Sequence, residues 1–271
     1  MTPSTFDLHR PAGTGSKKVV MFDPENGSTL KGIGDEGLLS GFGDSKYHSS
    51  CLGSDGCIYG FPCAATRVIR INPKLNDDGT PWTRDGVPKV ELFGDTLAHE
   101  TLIRKWRSAI MANNDHIYAL PCRDPRVVKF NIKTGNATFL ETGLELEGEM
   151  YVGGVLSGDI IYAPPAHGRR IMKIDTGDND KISFIGPDLG NGHKFGGATL
   201  GKDGHIYCLP EQFRRVLKIN VETEAVETIG NDLGSSMEYK YVKPKFGIES
   251  CFYLFAPNNR NPNTLVQCSS Y

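Results

Sequence analysis

An all-β fold of repeated four-stranded antiparallel units is predicted by three observations in this 271-residue sequence. First, an aromatic residue is followed by a tyrosine five times at nearly constant spacing. The pairs are Tyr47 and Tyr59, Trp106 and Tyr118, Tyr151 and Tyr162, Phe195 and Tyr207, and Tyr241 and Tyr253, at separations of 12, 12, 11, 12 and 12. Second, these tyrosines advance by 59, 44, 45 and 46 residues, and each is followed shortly by proline. Third, every unit holds four short apolar runs between Gly, Asn and Asp turn signals, and no long 3.6-residue apolar period competes with them. Four strands in a repeat of about 45 residues describe the blade of a β-propeller.

The elements follow in chain order. Residues 1–16 form an N-terminal arm or partial strand, with an apolar run near Phe6–Leu8. Strands are predicted at Lys18–Asp23 and Thr29–Ile33. The first complete unit starts near Lys46 and is lengthened by the Pro-, Gly- and Asp-rich insertion Asn72–Lys89, which reads as an extended loop. The clearest unit begins at His193. Its strands A to D are Gly196–Leu200, His205–Leu209, Val216–Asn220 and Ala225–Ile229, with turns at Gly201–Gly204 and Val221–Glu224 and a proline-containing B–C loop. Further strands are expected at Tyr241–Phe246, Cys251–Ala256 and Thr264–Cys268. The length of the chain divided by the period gives six blades, or five if the two termini merge into one. Either way the termini close the ring, because an open ring leaves unpaired strand edges. Residues 1–271 are read as one domain.

Composition narrows the function. The 32 Gly and 16 Pro suit a turn-rich β protein. A net charge of −2 gives no general attraction to nucleic acid or anionic membrane. No apolar stretch is long enough to span a bilayer, and the polar N-terminus lacks the apolar core of a signal peptide. The seven cysteines are odd in number and lack CxxC spacing; Cys63 and Cys122 follow the repeat proline and Cys208 follows the repeat tyrosine. They read as small apolar strand residues in a reducing, intracellular, cytoplasmic compartment.

Alignment of the units shows what the scaffold requires. Small pairs follow the strand-A aromatic: Ser49-Ser50, Ser108-Ala109, Gly153-Gly154 and Gly197-Ala198. They let inner strands approach closely. The strand-B tyrosines pack between blades, with the hydroxyl at the rim. Eight residues beyond each tyrosine stands an arginine, Arg67, Arg126, Arg170 or Arg215; Lys18 takes this place in the first unit and Asn261 in the last. The D–A connections on the same face carry Asp35, Asp95, Asp188 and Asp232. Two readings stand. Each Arg forks onto an Asp or loop carbonyls, or stacks on an aromatic, as a staple. Alternatively the arginines and the strand-A aromatics Tyr47, Trp106, Tyr151, Phe195 and Tyr241 form a collar for an anion.

Motif matches add little. Gly32–Gly37 fits GxGxxG but ends a strand without the βαβ context that gives the motif meaning. Asp175, Asp178 and Asp180, like Asn76–Gly79, lack the full oxygen series of a calcium loop and sit where turns need Asp and Asn. His99-Glu100 has no second His four residues on. No GxSxG elbow or phosphate loop occurs. No catalytic residue, metal site or cofactor is assigned.

The pattern aromatic-x-small-small…DG-x-IY-x-x-P-x4-RV-x-KI, seen from Phe195 to Ile219, resembles Kelch-like and NHL-like propeller repeats. Gly153-Gly154 takes the place of the Kelch double glycine, while the downstream Trp is missing. The pattern is most similar to propeller repeats of algae and other protists. This resemblance implies the fold and carries over no catalytic residue. The first functional expectation is a non-enzymatic scaffold that binds a protein partner or other ligand through loops on one face, alone or within a larger assembly. Its contacts are expected where the repeat is broken, at Trp82 and Arg84 in the insertion and at Lys243–Lys245. The alternative is a hydrolase or lyase acting on a small acidic substrate in the central channel, with or without a metal.

Overall fold

The computed structural model describes residues 18–22, 30–35, 37–39, 46–83, 86–97, 104–145, 148–234, 245–246 and 252–253. These residues form β-strands and turns, and no helix occurs among them. The chain packs as two compact units. The first comprises residues 1–111, 115–119 and 127–140, and the second residues 112–114, 120–126 and 141–271.

The first unit opens with the antiparallel pair β1 (Val19–Phe22) and β2 (Leu30–Ile33). A sheet follows in the order β3 (Tyr47–Leu52), β4 (Ile58–Pro62), β5 (Val68–Asn76), β6 (Pro88–Phe93). The next sheet is β7 (Trp106–Met111), β8 (His116–Pro121), β9 (Val127–Asn131), β10 (Ala137–Leu140). Val19 and Ile33 pack with Ile69, Ile71 and Val90 of the second sheet. Tyr59, Phe61, Trp106, Val128 and Phe130 join the two four-stranded sheets in a second cluster, where Phe61 meets Trp106 edge-on at 6.4 Å.

The second unit holds β11 (Val155–Ser157), β12 (Ile160–Ala163), β13 (Ile171–Asp175) and β14 (Lys181–Ile185). After them come β15 (Phe195–Leu200), β16 (Ile206–Pro210), β17 (Val216–Ile219) and β18 (Val226–Ile229). Both sheets are antiparallel meanders in chain order, and Tyr162, Ile171, Phe195, Ile206 and Leu217 form the core between them. A short pair, β19 (Lys245–Phe246) and β20 (Phe252–Tyr253), completes the described strands. The alternation of apolar residues thus places strands as the repeat predicts. The segments near Phe6–Leu8 and Thr264–Cys268, Arg84 and Tyr241 lie outside the described residues.

Two details correct or explain the sequence pattern. The insertion Asn72–Lys89 is not all loop: β5 continues to Asn76, which pairs with Pro88, because Asn76 donates to Thr80 Oγ1 and the Pro81 carbonyl and closes a small turn. The odd spacing of 11 between Tyr151 and Tyr162 arises in the A–B turn of that sheet. Ser157 pairs with Ile160, leaving only Gly158 and Asp159 to turn the chain, with Gly158 at φ 58°. Glycine accepts that left-handed conformation without a Cβ penalty.

The strand-B tyrosines also acquire a reason. Tyr59 donates to Asp55 at 2.7 Å, and Tyr207 to Asp203 at 2.6 Å, each carboxylate four residues earlier in the A–B turn. Burial alone raises the Asp55 pKa, but hydrogen bonds from the Cys57 amide and the Tyr59 hydroxyl outweigh it and bring the carboxyl below its usual range.

Candidate functional site

The B–C loops and the starts of strand A meet at one edge of each four-stranded sheet, and the main chain ties them together. Within a sheet, the Cys63 and Ala64 amides donate to the Lys46 carbonyl at 2.8 and 3.2 Å. The Glu211 and Gln212 amides likewise reach the Lys194 carbonyl at 2.8 and 3.2 Å. Between neighbouring sheets of the first unit, the Lys105 amide donates to the Cys63 carbonyl at 3.1 Å. In the second unit the Lys194 amide donates to the Ala166 carbonyl at 2.9 Å, and the Met150 amide to the Cys122 carbonyl at 3.1 Å. The buried ammonium of Lys194 is held by the Gly190 and Gly192 carbonyls at 2.8 and 2.7 Å, which satisfies a charge that water no longer reaches.

The repeated arginines are placed at this edge. Arg67 donates from Nε and Nη2 to the Gly94 carbonyl at 3.0 and 2.8 Å, and Arg170 from Nε to the Gly186 carbonyl at 2.9 Å. Each therefore closes strand C onto the end of strand D in its own sheet. Arg126 forks onto Asp124 at 2.9 and 2.7 Å within its loop. Arg215 is exposed. The residue just before this position makes the carboxylate pairs: Arg169 with Asp188 at 2.6 Å, and Arg214 with Asp232. The Arg214 guanidinium holds Asp232 down at about 2.

Of the strand-A aromatics, Trp106, Tyr151 and Phe195 are fully buried and present no ring face to solvent. Tyr47 and Tyr151 turn their hydroxyls to the Arg67 and Arg170 carbonyls at 3.1 and 2.9 Å. Trp82 is 37% exposed.

One cluster at this edge of the second unit was not singled out by sequence reasoning. The four residues after Tyr59, Tyr118, Tyr162 and Tyr207 end at Cys63, Cys122, Ala166 and Glu211, so a carboxylate replaces a small buried residue in one blade only. The same blade has glycine after the strand-A aromatic, where the others have His48, Arg107 and Val152. That glycine makes the room: a Cβ on Gly196 would lie 2.1 Å from Glu211 Oε1. Facing Glu211 stands His193, its Nδ1 at 3.1 Å from Oε2, an ion-pair distance rather than a regular hydrogen bond. The two side chains are only 9% and 12% exposed. The His167 ring lies edge-on to His193 at 5.0 Å between centroids. Its Nδ1 stands 3.1 Å from the carbonyl of Glu149, itself buried. A signal for this cluster did exist: a Glu and a Gly that break the repeat in the same blade.

Such an arrangement suits proton transfer. A carboxylate on the Nδ1 side of an imidazole meets the charge that the ring gains on taking a proton. Among the described residues, no three His, Cys, Asp or Glu side chains stand close enough to hold a metal ion.

No protein-family profile matches the sequence, and no curated protein is significantly similar to it. Solved structures are similar in fold. Virginiamycin B lyase from Staphylococcus aureus superposes with a TM-score of 0.57 at 15% identity over 79% of this chain and 64% of that one. A catalytically inactive histidine-to-alanine form of that lyase, with quinupristin, gives a TM-score of 0.62 at 12% identity, covering 89% of this chain and 71% of the other. A structure described as a putative 6-phosphogluconolactonase from Bacteroides uniformis gives 0.54 at 16% identity over 82% and 66%. This chain spans about two thirds of the length of these structures. Its fold is thereby defined as the all-β, propeller class of four-stranded antiparallel sheets.

Proposed function

We propose that this chain is an enzyme of the lyase or hydrolase class acting on a small substrate, with His193 and Glu211 as its acid–base pair. One observation carries this reading. Glu211 is a buried carboxylate at a position that three other blades fill with Cys63, Cys122 and Ala166, beside a histidine and over a glycine that clears its space. Desolvating a charged group costs several kcal/mol even when it is paired. The other sheets form without it, so the scaffold does not require that cost. His193 takes or gives the proton, Glu211 meets the charge its ring gains, and His167 stands beside it as a second imidazole. The fold likeness to lyases agrees with this reading without identifying a substrate.

The test is a panel of esters, lactones and phosphoesters with the wild-type chain, His193→Ala and Glu211→Gln. Turnover should fall by about 10²–10⁴ in His193→Ala. Folded wild-type protein without turnover in any class would end the reading.

A second reading, a scaffold that captures a protein partner, is favoured by the exposure of Trp82 on its hairpin extension. Trp82→Ala, with or without Arg84→Ala, should then abolish capture at unchanged Tm. Unchanged capture would remove it.

A further inference from the structure

We infer that Arg123 is the anion-binding residue of this site and that the molecule bound there carries a carboxylate or phosphate group. The inference rests on the proposed acid–base site and adds its substrate class. Residues five beyond the strand-B tyrosines are Ala64, Arg123, His167 and Gln212, so no cation is needed there by the blade. Arg123 shares this place with His167 of the next sheet, and both belong to the second unit. They flank the same segment. The loop carrying Arg123 receives the Met150 amide on the Cys122 carbonyl at 3.1 Å, while the Glu149 carbonyl receives the His167 amide at 3.0 Å. His167 in turn meets His193, and His193 meets Glu211. The loop that carries Arg123 is thus joined to the acid–base pair, through the main-chain bond of its Cys122 carbonyl, by a run of contacts along this edge.

Its charge is also uncommitted. In this unit Arg126, Arg169 and Arg214 are neutralised by Asp124, Asp188 and Asp232, while Arg170 and Lys194 are bound to carbonyls. Arg123 is exposed and makes no hydrogen bond or ion pair among the described residues. A planar guanidinium with its donors in water is suited to a forked contact with carboxylate or phosphate. Arg215 is exposed as well, but its charge acts on Asp232, whose carboxyl it helps to lower.

The experiment titrates inorganic phosphate, and separately citrate, into the wild-type chain, Arg123→Gln, Arg123→Lys, Arg215→Gln and Glu211→Gln, read by calorimetry and by the rise in Tm. Arg123→Gln should melt like the wild type without ligand and bind either anion about 10- to 100-fold more weakly, the effect of losing a charge-assisted hydrogen bond. Arg123→Lys should recover part of the affinity, and Arg215→Gln should bind as the wild type does. Glu211→Gln should retain binding, so a chain that binds phosphate through Arg123 yet turns nothing over would sink the enzymatic reading alone. Equal affinity in Arg123→Gln and wild type, loss in Arg215→Gln instead, or no binding by the wild type overturns the inference.

Discussion

Replacing Gly196 by alanine tests the central pair without knowledge of a substrate. The added Cβ would stand 2.1 Å from Glu211 Oε1, 2.6 Å from its Cδ and 3.1 Å from its Cγ, all short of the 3.4 Å at which ordinary contact begins. The carboxylate must therefore retreat by about 1 Å, and misplacement on that scale costs an active site about 10²-fold. Overpacking of a filled site costs about 1–3 kcal/mol, which in a chain of this size lowers Tm by roughly 2–12 °C. The three nearest atoms all belong to the Glu211 side chain, so Gly196→Ala combined with Glu211→Ala should recover most of the lost stability. Two neighbouring substitutions should then be strongly non-additive. Differential scanning calorimetry of the two single variants and the double variant measures this directly. If the double variant is as unstable as the sum of the singles, Gly196 serves the backbone and not Glu211, and a purpose-made carboxylate site is ruled out.

Gly153→Ala should be harsher, because a Cβ there would meet backbone: 2.6 Å from Gly197 Cα and 2.8 Å from the Gly196 carbonyl oxygen. No rotamer can relieve this, so the loss should exceed that of Gly196→Ala, and no second substitution at 196 or 197 should restore it; an equal or smaller fall in Tm counts against the close approach. Asp232 supplies a pH test. Its carboxyl is held down at about 2 by Arg214, so the pair's contribution is complete above the unfolded carboxylate range, near pH 4, and fades as pH falls toward 2. The Tm difference between wild type and Asp232→Asn should therefore close across that interval, and a constant difference would show that the ion pair adds nothing through the charge of Asp232.

The sheets were legible because their physics repeats. Alternating apolar residues, a Gly or Asp in each turn and an aromatic opening each strand A recur in every unit, and strands such as Ile206–Pro210 and Val216–Ile219 fall where that pattern puts them. The site was less legible. The repeated arginines drew attention because they recur, yet Arg67 and Arg170 bind carbonyls of their own sheets. Glu211 and Gly196 are single departures, and each is ordinary until their 2.1 Å conflict shows that one was made possible by the other. His167 and His193 lie 26 positions apart in the sequence and meet only because two B–C and D–A edges lie side by side.

The ties between the Cys63, Ala166 and Cys122 carbonyls and the following strand starts use no side chain at all. Each of these three loops is consequently held by its main chain, which leaves its side chains open to exchange as a cassette. Residues 63–66 and 211–214 have equal length and end in the same main-chain bonds, so one can be grafted in place of the other. A chain organised in this way can acquire or lose chemistry one loop at a time, while the sheets beneath keep their register.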